Sequence, residues 1–381
     1  MLKVIENFRL CDKFLWGLIL TISTYSLLLI KSVSREGPDF FTIQLFAVVI
    51  GLICALILQN IDYNRIAKMW LWIAIFSVLL LIYTFFFGIA VEGTLGVNAK
   101  AWIKIFGGIT FQPSELVKIG FIITFANHLS KLQLKDKLND FKHLILVMFH
   151  AILPMIFMHF QGDDGAAIIF FCITLYMMFT AGIKLRYFGI ALVCATIALP
   201  ILWNFVMPPY QKHRILNQLN PEADPLNMGY QQIQGKLSIG SGGIFGTGLF
   251  NGIRVENKFV PIQESDFIFS VVGEELGFIG CLAIIFLIFL LLLKIILISK
   301  KSVNSLGSLI CVGIVGFIAS QSMFNLGMCL SMLPVIGVTL PFFSAGGSSV
   351  TCLYLTIGLA QNINIHNRRN NKNLNKNISS R

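Results

Sequence analysis

Charge is what this chain has least of. Only 12% of its 381 residues are Asp, Glu, Lys or Arg, against about 25% in an ordinary soluble domain. A water-facing globular fold is therefore excluded. The eight cysteines contain no Cys-x-x-Cys pair, and none falls in the longest polar stretch, near 207–265. They read as small buried hydrophobes, which argues against a disulfide framework or a cysteine metal site. Histidine is scarce too. His150 and His159 lie nine residues apart, which at 100° per residue puts them on opposite faces of a helix and not around one metal. No Gly-Lys-Ser/Thr closes the glycine-rich stretch, so it is not a phosphate loop of the Walker type. The first apolar run lacks a small-residue cleavage site and reads as an uncleaved anchor.

Apolar length is abundant. Hydrophobic residues make up 56% of the chain, and mean hydropathy is +0.79. Runs of roughly 20 apolar residues, enough to cross the hydrocarbon core as helices, recur near 14–30, 40–59, 69–90, 113–129, 143–161, 166–182, 187–206, 267–298, 306–330 and 348–365. The runs are continuous and not alternating, so they read as helices, not barrel strands. The fold class is an all-α polytopic membrane protein with about ten transmembrane helices. Residues 1–365 form one transmembrane domain, and 366–381 form a basic, Asn-rich tail expected to be disordered. The eighth run is long enough to tilt or project.

Basic residues decide orientation. With the N-terminus inside, cytoplasmic segments hold roughly twice as many Lys and Arg as outer ones. Both termini are then cytoplasmic, and a long outer loop, about 207–265, joins helices 7 and 8. The net charge of +11 is explained by loops and a tail beside anionic lipid, and nucleic acid is not an expected partner.

The polar residues that remain are concentrated in a few motifs. In Phe111-Gln112-Pro113-Ser114-Glu115-Leu-Val-Lys118, Pro113 suits a first helical position, and Glu115 and Lys118 fall on one face. This is either a helix start with a local ion pair or one wall of an outward cavity. In Asn98-Ala-Lys100-Ala-Trp102, Trp102 can anchor at the headgroups and Lys100 can meet a phosphate. In Gln161-Gly-Asp163-Asp164-Gly165, the carboxylates either cap the next helix or face the same cavity. Around Gly240-Ser241-Gly242-Gly243-Ile-Phe-Gly246-Thr-Gly248, glycines allow backbone amides to nest an anion, or the segment is simply flexible or re-entrant. In Ser265-Asp266-Phe-Ile-Phe-Ser270-Val-Val-Gly-Glu-Glu275-Leu-Gly277, a lone carboxylate stands where a polar loop enters the membrane. Partial desolvation there suits Asp266 to proton transfer. Last, Pro341-Phe-Phe-Ser344-Ala345-Gly346-Gly347-Ser348 separates the ninth and tenth runs with small residues that permit close approach.

In this order, the five motifs from Phe111 onwards resemble the SEDS proteins of bacterial cell-wall synthesis, and the resemblance covers the whole membrane portion. The stretches at 333–343 and 219–225 look more like the RodA elongation branch than its FtsW division counterpart. The resemblance implies an inverting peptidoglycan glycosyltransferase that polymerises lipid II, the undecaprenyl-pyrophosphate-linked disaccharide pentapeptide, outside the bacterial cytoplasmic membrane. Asp266 matches the family's essential aspartate, the catalytic base. Lys100, Trp102, Gln112, Ser114, Glu115, Lys118 and Asp163 match its other polar positions, and Lys236, Ser241, Gly242, Gly243, Ser344, Gly346 and Gly347 join them as candidate substrate contacts. Asn98 stands where the family favours Gly, Lys100 where Arg is frequent, Gly162 and Asp164 where Pro and Leu stand, and Ala345 where Tyr is common. The sequence shows no clear metal cluster, though a divalent cation, Mg or Mn, could assist at the pyrophosphate. Expected partners are a class B penicillin-binding transpeptidase and other rod-complex membrane and cytoskeletal proteins. The rivals are a lipid II flippase, because intramembrane polar residues also mark transport paths, and a scaffold in which Asp266 would be dispensable.

Overall fold

A computed structural model describes residues 2–35, 39–90, 99–104, 110–225 and 228–379. Asn98 lies outside the described residues. Ten long helices correspond to the ten apolar runs: α2 (Lys13–Val33), α3 (Phe40–Leu58), α5 (Trp70–Phe87), α6 (Pro113–Leu134), α7 (Phe141–Phe160), α8 (Asp164–Ala181), α9 (Leu185–Ile201), α13 (Ile268–Lys300), α14 (Ser305–Cys329) and α15 (Gly347–Ser379). Short helices α1 (Leu2–Leu10) and α4 (Tyr63–Lys68) sit at one end of the bundle, and α10 (Pro209–Leu219), α11 (Met228–Ser241) and α12 (Ile253–Glu256) order the long loop. A two-stranded antiparallel pair, Ile103–Lys104 with Thr110–Phe111, precedes α6.

Among the described residues, eight of the long helices are apolar enough to cross a membrane. The other two, α6 and α15, have membrane length but carry polar side chains, and most of α6 is buried by its neighbours. α14 is the most enclosed span, and α9 buries none of its residues.

Local chemistry sets the helix ends. Asp12, Asp39, Asp163 and Asn304 each accept a backbone N–H in the first turn of α2, α3, α8 and α14, which satisfies one of the donors every helix start leaves open. Pro113 occupies the first turn of α6. Pro200 lies inside α9, just before a π-helical turn over Leu202–Val206.

α13 neither tilts nor projects as one rod. Gly277 breaks it with φ 65° and ψ −160°, a conformation open to glycine. The 278–300 portion is then roughly 34 Å long at 1.5 Å per residue, one bilayer crossing. α15 continues unbroken to Ser379. The residues that hold its inner half are specific. Gln361 exchanges two hydrogen bonds with the backbone of Asp12, at 2.9 and 2.8 Å, and Asp12 pairs with Lys294 at 2.8 Å and Arg368 at 3.1 Å.

α15 packs closely along α3 because both helices thin at the contact. A Cβ on Gly358 would stand 2.7 Å from the Ala55 carbonyl oxygen, and one on Gly51 would meet the Tyr354 ring at 2.6 Å. Lipid tails offer no hydrophobic drive to pair helices, so such close packing supplies much of it. Gly358→Val is expected to destabilise the bundle by about 1–3 kcal/mol through overpacking, seen as a lower Tm of the detergent-purified protein.

Candidate active site

The polar motifs converge at one end of the bundle, where α6, α8, α13 and α15 all begin. Asp266 closes the turn that enters α13: its N–H donates to the Ile262 carbonyl at 3.2 Å, and its Oδ1 accepts from the Ser265 hydroxyl at 2.7 Å. The side chain is half-buried. Desolvation raises its pKa above the ordinary carboxylate value. The Ser265 bond opposes that rise, and the nearby charges of Glu264 and Asp163 add to it. Asp266 is thus a carboxylate poised toward taking a proton.

Asp163 takes the capping role expected of its motif. One oxygen caps α8 by accepting from Ala166 N at 2.9 Å, and the other accepts from Gln112 Nε2 at 3.0 Å. Burial raises its pKa too; the Ala166 N–H, Lys118 and Gln112 oppose the rise, and Glu115 adds to it. Asp164 turns away to His159 at 2.8 Å and to Gln211 of α10 at 2.7 Å.

Below them lies the ion pair. Lys118 Nζ stands 2.7 Å from Glu115 Oε1, with side-chain exposures of 2% and 4%, and 4.5 Å from the centroid of the Phe317 ring. That arrangement is what lets an ammonium survive at membrane depth. Ser114 Oγ and Glu115 Oε2 are buried without a hydrogen-bond partner among the described residues, so polar capacity beside the pair is unspent. The Gln112 N–H donates to Ser348 Oγ at 3.3 Å, joining the start of α6 to the start of α15.

The small-residue segment between α14 and α15 closes over the Asp266 turn. Ser344 Oγ donates to the Ser265 carbonyl at 2.5 Å and accepts from Leu340 N at 2.8 Å. Ala345 N donates to the Glu264 carbonyl at 2.8 Å, and Gly346 N donates to Gln44 Oε1 at 3.2 Å. Gly347 abuts Ile43 of α3. Gly337, at φ 67°, lies against the carboxylate: a Cβ there would stand 3.7 Å from Asp266 Oδ2. Sequence reasoning missed Gln44 and Asn325. Each is a fully buried amide in an apolar span, and that incongruity was the available signal.

The candidate contacts from the long loop fall elsewhere. The glycine-rich stretch turns part of its backbone toward α13. Thr247 N and Gly248 N donate to the Glu274 and Glu275 carbonyls, each at 2.9 Å, and Gly243 O accepts from Phe278 N at 2.9 Å. These glycines let a loop dock into the α13 break: a Cβ on Gly242 would lie 1.9 Å from Gly273 O. Gly242 and Gly243 thus meet α13 near Gly273 and, past the break at Gly277, Phe278. Ser241 Oγ bonds the Ser238 carbonyl at 2.8 Å, and Lys236 is exposed on α11. Trp102 is bridged through its backbone to Ile89 and Lys100 is exposed; their segment lies beside the Asp163 motif, where a Cβ on Gly162 would stand 3.4 Å from Ala99 Cα. A cavity of about 230 Å³ lined by Ser32, Arg35, Phe250, Lys258 and Glu275 also lies apart from Asp266. Among the described residues no three His, Cys, Asp or Glu side chains gather as a metal site. Mg or Mn here would draw most of its oxygen ligands from substrate and water.

Comparison with known proteins places these features in context. A family model described as Cell cycle protein, for FtsW, RodA and SpoVE, matches residues 8–369. The chain is 30% identical over 352 residues to the peptidoglycan glycosyltransferase MrdB of Escherichia coli, covering 92% of each. It is 34% identical over 349 residues to a probable peptidoglycan glycosyltransferase FtsW of Geobacter metallireducens, covering 91% of this chain and 90% of that one. It is 32% identical over 372 residues to the stage V sporulation protein E of Bacillus subtilis, covering 94% and 98%. A solved chain from a peptidoglycan synthase complex that coordinates polymerization and crosslinking superposes with a TM-score of 0.80 at 26% identity, over 94% of this chain and 98% of that one. The Thermus thermophilus rod shape determining protein RodA shares the fold, with a TM-score of 0.68 at 24% identity over 93% and 96%.

Breaking the ion pair tests whether it holds the site. Lys118→Met leaves Glu115 buried and unpaired, and is expected to cost about 3–5 kcal/mol. Adding Glu115→Gln removes the orphaned charge and should recover much of the lost Tm in detergent.

Proposed function

This chain belongs to the cell cycle protein family of FtsW, RodA and SpoVE, and we propose that it is an inverting peptidoglycan glycosyltransferase of the inner membrane that polymerises lipid II, with Asp266 as general base. The observation that carries this reading is the half-buried Asp266 carboxylate at the mouth of the bundle, with its pKa raised by desolvation. The opposite end holds Asp12, Lys294 and Arg368 and most of the Lys- and Arg-rich connections. The charge bias therefore supports an outward-facing site and cytoplasmic termini.

The reaction needs few groups. The 4-hydroxyl oxygen of the acceptor sugar bonds to the donor's anomeric carbon, and the bond from that carbon to pyrophosphate breaks. The pyrophosphate departs with the electron pair, and Asp266 takes the hydroxyl proton. Glycosidases use a second carboxyl to protonate their leaving group; pyrophosphate leaves without that help. Attack opposite the leaving group converts an α-linked donor to a β-1,4 product. Gln112 bonds Asp163, and the buried Ser114, Glu115 and Lys118 beneath it are the polar groups that a lipid-linked substrate would meet only if the start of α6 opened to it. The likeness to a chain from a peptidoglycan synthase complex supports a class B penicillin-binding transpeptidase as partner, with other rod-complex proteins around it. The 333–343 and 219–225 stretches favour the elongation role, so depletion should give round cells, where a division enzyme would give filaments.

Incubation of the detergent-purified protein with its transpeptidase partner and labelled lipid II should yield a ladder of glycan lengths, and Asp266→Asn should abolish it. A ladder undiminished in that variant removes the base assignment. Because the base must be ionised and its pKa is raised, polymerisation should fall on acidification at a pH above that expected of an ordinary Asp. Asp163→Asn removes a like charge that raises this pKa, so the acid limb of its rate profile should move to lower pH.

A further inference from the structure

The turn that carries Asp266 is irregular backbone, and so is the 333–340 segment facing it. Neither has a helix or a sheet ladder to hold it, yet their separation decides where the carboxylate stands. Asn325 supplies the link. It is fully buried on α14, and its Nδ2 donates to the Asp266 carbonyl at 2.8 Å and to the Val338 carbonyl at 2.7 Å. Turning the amide over would set its oxygen against two carbonyl oxygens, so its partners impose the donor orientation. Cys329, one turn later, adds a weak thiol contact to the same Asp266 oxygen at 3.5 Å.

The two clamped segments matter beyond themselves. Gly337, next to Val338, lies against Asp266 Oδ2. Ile336, one residue earlier, presents its carbonyl to the start of α8, where a Cβ on Gly165 would stand 2.5 Å from that oxygen. Asp163 caps the same helix. One amide therefore joins the turn bearing one carboxylate to the segment resting on the helix start that bears the other.

We propose that Asn325 is a positioning residue, which fixes the Asp266 carboxylate relative to Gly337 and the α8 start without touching substrate. The proposal rests on the reading of Asp266 as the base. Both carbonyls it holds are backbone, so its effect runs through geometry and not through charge. A buried amide in an apolar helix is retained where its donors have obligatory partners, and here each N–H has one.

The experiment compares wild type, Asp266→Asn, Asn325→Ala and Asn325→Ser, each with the transpeptidase partner, over a range of lipid II concentrations. Thermal unfolding of the same samples gives the folded fraction. Asn325→Ala is expected to lower kcat by about 100-fold, the effect of a roughly 1 Å misplacement, with KM changed less than about twofold. Asn325→Ser retains one donor and should fall between. A merely structural role would lower rate only in proportion to folded protein; that result, or a rise in KM with kcat unchanged, overturns the proposal. If Asn325→Ala does not fold, Asn325→Ser decides by the same criteria. An active Asp266→Asn, or wild type that makes no polymer, defeats the underlying reading and the proposal with it, and is seen before any Asn325 variant is compared.

Discussion

Glu115 and Lys118 meet at 2.7 Å with almost no solvent on either, and the site is built outward from that contact. An ammonium or carboxylate alone at this depth would be expelled or neutralised. Paired, they bring charge into the start of α6, and charge there orders what lies above. Lys118 opposes the rise in the pKa of Asp163 and Glu115 adds to it; Asp163 in turn adds to the rise at Asp266. Asp163 and Asp266 at the mouth of the bundle are thus both held above the ordinary carboxylate range, chiefly by desolvation.

The same constraint explains the buried amides. Where helices stop short of the surface, backbone carbonyls and N–H groups must find partners inside the protein. Gln44 holds Ser344 and Gly346, Gln161 holds the Leu81 carbonyl at 3.0 Å, and Asn325 holds Asp266 and Val338. Each ties irregular backbone to a span. A rigid mouth follows, which is what a single-base reaction on a large, mobile lipid substrate requires.

Much of this was legible beforehand. Hydropathy placed the starts of all ten long helices within about two residues, because a bilayer-length apolar run has few alternatives, while α15 runs past its expected end near 365 to Ser379. The special place of Asp266 could be read from a lone acid at a loop-to-span boundary, and the Glu115–Lys118 pair from its spacing of three. In the glycine-rich stretch, glycines that admit an anion and glycines that admit another backbone look alike in sequence. Here they admit the carbonyls of Glu274 and Glu275. The long loop also proved to contain three helices, whose short, polar turns carry little periodic signal.

Composition and periodicity by themselves determined the membrane class, the starts of the long helices and Asp266 as a candidate base, because each depends on neighbours within one or two turns of chain. Only tertiary structure decided that α13 breaks at Gly277, that Asp163 serves both the α8 cap and Gln112, and that Asn325 reaches across to two loops. Those outcomes rest on contacts between residues from 13 to 59 positions apart. At such separations no local pattern distinguishes a hydrogen bond made from one merely possible.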